Sequence, residues 1–158
     1  MMLVINTLIC MFFVCYGYYF TYVYPRNKER KKVLKRYLML FLILFFPCNI
    51  LLFCLAKLVY TIIPFTWQEW EVVELYIRNF ALMPGAIFFY NLGVIGLFEG
   101  LLDMIITFHR VHNAENIDKY PINFTIKYKS VIVNVARAIF CVFYGVINYI
   151  MWIDEFIK

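Results

Sequence analysis

Hydrophobic residues along this chain gather into four long runs, each closed by a proline, a charge cluster or a polar connector. The runs cover about residues 1–24, 37–63, 84–108 and 130–153. Each exceeds the ~20 residues that an α-helix needs to cross a hydrocarbon core of ~30 Å. The pattern predicts an all-α, polytopic membrane protein with four transmembrane helices. No Gly/Ser-rich or Pro-rich linker and no internal repeat divides the chain, so residues 1–158 are read as a single membrane domain.

Between the second and third runs the pattern changes. Trp67, Trp70, Val73 and Ile77 form an apolar stripe at helical spacing, set against Glu69, Glu74 and Arg78. Pro64 precedes this stretch and Pro84-Gly85 follows it. Thr66 and Glu69 have the spacing of a capping box, and Phe65 and Trp70 that of a hydrophobic staple. These features predict a separate amphipathic helix over about Thr66–Leu82, lying in the membrane interface. Within the second run, Pro47 predicts a kink, and Asn49 stands beside the carbonyls that the proline frees. Lys57 is read as a snorkelling lysine.

Composition supports the membrane reading. The chain is 65% hydrophobic and only 16% charged, against about half apolar and a quarter charged in a soluble domain. Its net charge of +5 is unevenly spread. Residues 26–36 hold Arg26, Lys28, Arg30, Lys31, Lys32, Lys35 and Arg36 against Glu29 alone, a net +6. Residues 66–82 carry −2, residues 109–129 carry +2 with neutral histidines, and residues 154–158 carry −1. This alternation is a topology pattern rather than a nucleic-acid footprint. It places both basic segments on the inner side and both termini on the opposite side. The seven basic residues are expected to contact anionic headgroups, with cardiolipin as one candidate phospholipid. No cofactor and no nucleic-acid partner are expected. The first run has no basic residue ahead of it and no small-x-small site after it, so it is read as a retained helix rather than a cleaved leader. Tyr16, Tyr18, Tyr19, Tyr22 and Tyr24 at its far end are read as an interfacial belt.

The candidate chemistry lies in the last two runs. Gly93, Gly96 and Gly100 fall close together on one side of a helix, with Glu99 and Asp103 beside them. On the fourth run Asn134, Arg137, Ala138, Cys141, Gly145 and Asn148 share an arc of roughly 100°. In an antiparallel hairpin, Glu99 would face Arg137 and Asp103 would face Asn134, at depths roughly 5 and 10 Å inward of the bilayer centre. The spacing predicts a buried Glu99–Arg137 ion pair with Asp103 nearby. Gly93, Gly96, Gly100, Ala138 and Gly145 would pack the same seam. An unpaired arginine at such depth costs at least ~2.5 kcal/mol. Glycines beside the acids favour structural locking; a proton or ion path and a bound anionic lipid are the alternatives.

Other residues change the picture little. The five cysteines, Cys10, Cys15, Cys48, Cys54 and Cys141, lie in apolar runs without a CxxC pair and are read as buried small apolar residues. His109, His112 and Glu115 have metal-compatible spacing. With two histidines in the whole chain, they are read as headgroup-facing, and no metal site is expected. The Asn123-Phe124-Thr125 sequon falls on the inner side. A single serine, Ser130, and the lack of a Gly-rich phosphate loop argue against hydrolase and nucleotide-binding classes.

Phe, Tyr, Met, Ile, Asn and Lys make up nearly half the chain, and Gly, Ala, Arg and Pro about a seventh, which points to AT-rich coding DNA. These readings lead to an expected function: a non-catalytic accessory subunit of a large membrane assembly. A respiratory-chain or ATP synthase complex of the mitochondrial inner membrane is favoured, with the basic loops facing the matrix. Its expected partners are other membrane subunits and anionic lipids. The alternative is a small transporter or channel with a Glu99/Asp103/Arg137 path.

Overall fold

The computed structural model describes residues 2–26 and 28–157, and among these there is helix and turn but no strand. Four helical rods, Met2–Val23, Arg30–Ile62, Trp67–His112 and Ile122–Ile157, are long and apolar enough to cross a membrane. They run alternately up and down. The first rod is α1 (Met2–Tyr18) followed by a widened, π-type stretch over Tyr19–Val23.

The second rod is broken into α2 (Arg30–Phe45) and α3 (Pro47–Ile62). Pro47 has no N–H to give and its ring crowds the preceding turn, so the chain turns at Phe46, where φ is −99° and ψ −75°. The Asn49 side-chain amide donates to the Phe45 carbonyl at 2.7 Å. The predicted kink therefore forms, and Asn49 serves one of the carbonyls at the break.

The third rod departs from expectation. Its start is as predicted: the Glu69 carboxylate accepts the Thr66 N–H at 2.9 Å, and the Glu69 N–H donates to the Thr66 hydroxyl at 3.4 Å. The Phe65 and Trp70 rings lie 5.9 Å apart. The helix does not stop at Leu82, however. α4 (Trp67–Asn91) passes through Pro84, widens over Leu92–Phe98 and continues as α5 (Glu99–His112). Thr66–Leu82 is thus the first part of a 46-residue helical rod and not a separate element. The reason lies in packing. Met83, Gly85, Ile87 and Phe88 around the proline are all buried. Ending the helix there would pull them out of the core, whereas continuing it through the proline loses about one hydrogen bond, a loss that neighbouring helices accommodate. At ~1.5 Å per residue the rod is ~69 Å long, well over the ~40–45 Å of a whole bilayer.

The fourth rod is α6 (Ile122–Tyr149), a widened stretch over Ile150–Asp154, and α7 (Glu155–Ile157). α1 packs against both α4 and α6, which also touch each other, and runs parallel to α4 and antiparallel to α6. Trp152 is fully buried, stacked on Phe13 at 5.7 Å and edge-on to Phe80 at 4.8 Å. The Tyr144 hydroxyl donates to the Met83 carbonyl at 3.1 Å. On the other flank of α4, the Tyr37 hydroxyl of α2 donates to the Phe20 carbonyl, and its ring meets Phe88 at 5.4 Å. Buried polar groups bridge the rods as well. Asn91 donates to the Thr21 hydroxyl at 3.1 Å, Asn79 donates to the Met151 carbonyl at 2.6 Å, and the Tyr76 hydroxyl donates to Asn6.

The outside of the bundle is apolar. α3 has no buried residue among those described; it touches the start of α4 through Tyr60 and Trp70, whose rings are 4.5 Å apart. Of the cysteines, Cys10 is buried and Cys141 partly so, but Cys15, Cys48 and Cys54 are exposed, which corrects the expectation that all are interior. A thiol is small and apolar enough to face lipid as readily as core. The tyrosines closing α1 also divide: Tyr18 and Tyr19 are exposed, while Tyr16 and Tyr24 pack against the core.

Candidate functional site

The charged residues of the interior collect at one end of the bundle, the end that carries the basic turn after α1. Glu99 opens α5 directly after the widened turn, and Arg137 lies midway along α6. Arg137 Nη2 is 3.5 Å from Glu99 Oε2, with both side chains about one-fifth exposed. That distance gives charge attraction without a good hydrogen bond. Correspondingly, Glu99 Oε2 and Arg137 Nε are buried without a hydrogen-bond partner.

One turn further along α5, Asp103 binds two cations. Lys129 of α6 reaches one carboxylate oxygen, and Arg30 at the start of α2 reaches the other. Asp103 therefore ties α5 to α6 and α2 together. This differs from the predicted Asp103–Asn134 juxtaposition. A carboxylate gains more from a cation than from a neutral amide, and the long Lys129 and Arg30 side chains span the offset. Arg30 is accordingly not free for a headgroup. Lys28 stays exposed but sets its ammonium over the Tyr24 ring at 3.3 Å, and Arg36 approaches the same ring at 5.4 Å. Asn134 instead accepts a hydrogen bond at its backbone carbonyl from the Tyr22 hydroxyl, at 3.4 Å.

The small-residue seam is also placed differently. A methyl on Gly96 would meet Leu34 at 3.3 Å and one on Gly100 would meet Arg30 at 3.8 Å, so both glycines face α2 rather than α6. Gly93 and Gly145 have nothing within 4 Å of such a methyl, and Ala138 is exposed. None of these three packs a seam. The close approach that sequence reasoning missed is Gly17 of α1, where a Cβ would stand 2.5 Å from the Tyr144 ring. Its only sequence cue is a lone glycine amid large apolar residues.

Two clefts meet at Arg137. One, of about 210 Å³, is lined by Glu99, Lys129, Ser130 and Asn134 along with Arg137. The other, of about 600 Å³, lies between the end of α1 and α6 and is lined by Tyr22, Arg26, Ser130, Asn134 and Arg137 among others. Glu99 and Arg137 thus both border open space at the smaller cleft, rather than only the tight packing that glycines beside the acids favour. Glu99 and Asp103 against Arg30, Lys129 and Arg137 leave one positive charge in excess. Arrangements of this kind hold helices together, bind anions or relay protons. His109 Nδ1 lies 3.3 Å from the Asn113 amide nitrogen, and the described residues hold no group of three or more potential metal-ligating side chains. No family model, no curated protein and no solved structure matches the chain.

Proposed function

We propose that this chain is a non-catalytic accessory subunit of a large membrane assembly, with its four rods crossing the membrane. In this reading the assembly is a respiratory-chain or ATP synthase complex of the mitochondrial inner membrane. The basic turns face the matrix, and the acidic first turns of α4, Thr66–Leu82, sit at the opposite interface. The observation that carries it is α3: Ile50, Leu51 and Phe53 are each about two-thirds exposed, and the helix has no buried residue among those described. Faces of that size are covered by lipid or by a neighbouring subunit, and an accessory subunit supplies them for a neighbour. Arg26, Lys28, Lys31, Lys32, Lys35 and Arg36 remain as contacts for anionic lipids. The AT-rich residue bias supports the mitochondrial placement.

A small transporter is the second reading, favoured by the cleft that reaches Glu99 and Arg137. Glu99→Gln separates the two. The subunit reading predicts reduced assembly or protein level with unchanged flux in proteoliposomes of the isolated chain. Flux that Glu99→Gln abolishes, with assembly intact, would refute it.

A further inference from the structure

We infer that the larger cleft, between the end of α1 and α6, binds a phosphate oxyanion, presented by the headgroup of an anionic phospholipid. Its volume of about 600 Å³ is in the range of sites that hold small ligands. Two guanidinium groups from different elements line it: Arg26, in the turn after α1, and Arg137, in the middle of α6. Arginine is the side chain best suited to phosphate because its planar fork donates two parallel hydrogen bonds.

Arg137 has donors to spare. Its carboxylate partner stands at 3.5 Å, and its buried Nε has no hydrogen-bond partner. The Tyr22 and Ser130 hydroxyls and the Asn134 amide line the same cleft and add neutral donors. Tyr22 is committed only to a long 3.4 Å bond. Charge points the same way. The Glu99/Asp103/Arg30/Lys129/Arg137 cluster is one positive charge in excess, and Arg26 brings the local sum to two. No carboxylate lines the larger cleft among the described residues; Glu99 borders the smaller one.

Depth selects a lipid as the carrier. The cleft is at the end of the bundle that holds the basic run 26–36, where an anionic leaflet surface would lie. Tyr18 on its rim is 58% exposed, an amphipathic side chain suited to the border of headgroup and acyl chain. The inference needs the chain to be membrane-embedded but not to be a subunit, so it survives failure of the accessory-subunit reading.

The test uses the full chain, purified in mild detergent and delipidated, with phosphatidylglycerol, phosphatidylcholine and inorganic phosphate as probes. Lipid retained per protein is counted by native mass spectrometry. The wild type should retain phosphatidylglycerol in preference to phosphatidylcholine. Arg26→Gln, in a turn outside every helix, should weaken retention about tenfold, the size of one charge-assisted contact. Lys127→Gln, an exposed basic residue on α6 that lines neither cleft and lies outside the basic run, should leave it unchanged. Equal losses in Arg26→Gln and Lys127→Gln would reduce the effect to diffuse surface charge and overturn the site, as would equal retention of the two lipids. Displacement of the lipid by millimolar inorganic phosphate would uphold the oxyanion site but overturn the lipid as its carrier.

Discussion

Gly17 gives the sharpest test of the packing. It is buried on α1 opposite Tyr144 of α6, and an alanine methyl there would lie 2.5 and 2.6 Å from two ring carbons and 3.4 Å from Ile87 Cδ1. Ordinary contact begins near 3.4 Å, so the ring must retreat by about 0.9 Å. It has little room to do so. Tyr144 is 1% exposed, and its hydroxyl is tethered to the Met83 carbonyl at 3.1 Å. Forcing extra volume into a packed site costs ~1–3 kcal/mol, from which alanine's better helix propensity returns up to ~1 kcal/mol. Gly17→Ala should therefore destabilise the bundle by ~1–2 kcal/mol. Gly145→Ala, with open space around it, should be neutral or stabilising by up to ~1 kcal/mol. Equilibrium unfolding in mixed micelles with increasing dodecyl sulfate compares the three proteins. The Gly17→Ala/Tyr144→Leu double variant should recover part of the loss, since the two sites share one contact. Gly17→Ala as stable as wild type, or Gly145→Ala equally damaging, would refute the helix register described here.

Further predictions follow from the charges, the cap and the core. Arg137→Leu should cost more than the Glu99→Leu/Arg137→Leu double variant relative to Glu99→Leu, with a coupling of ~1 kcal/mol for this loose, partly exposed pair; zero coupling in a double-mutant cycle would dissolve the pair. Asp103→Asn should destabilise more than Arg30→Gln or Lys129→Gln alone, because it releases both cations at once; the half-exposed single pairs are worth ~1 kcal/mol or less each, measurable in the same unfolding assay. Thr66→Ala should cost ~1 kcal/mol and speed hydrogen exchange of the Glu69 amide while leaving α6 unchanged. Trp152→Ala should cost ~3–5 kcal/mol, read as loss of cooperative unfolding at lower denaturant.

Local features were the most legible in the sequence. The Thr66–Glu69 cap and the break at Pro47 depend on residues within a turn of one another, so spacing sufficed. Glu99 opposite Arg137 was accessible from hairpin geometry, because two rods of known direction fix which residues share a depth. The failures share one cause: they depend on which neighbour a face meets. Pro84 stays helical because buried residues on both sides of it keep the helix continuous. Gly96 and Gly100 serve α2, a helix distant in sequence, while the equally conspicuous Gly93 and Gly145 touch nothing. Arg30 reads as one more residue of a basic loop until α2 is seen packed along α4 and the widened stretch after it, which brings its first residue within reach of Asp103. Gly17 and Tyr144 carry no pattern that pairs them.

The central claim, that this chain serves as a subunit, is tested most directly by gentle extraction of a tagged copy from its native membrane, followed by native electrophoresis and mass spectrometry of what migrates with it. The account predicts a high-mass band containing other membrane proteins in fixed proportion, with α3 protected from lipid-phase labelling at Cys48 and Cys54. A free monomer or a homo-oligomer with those cysteines fully labelled would contradict it.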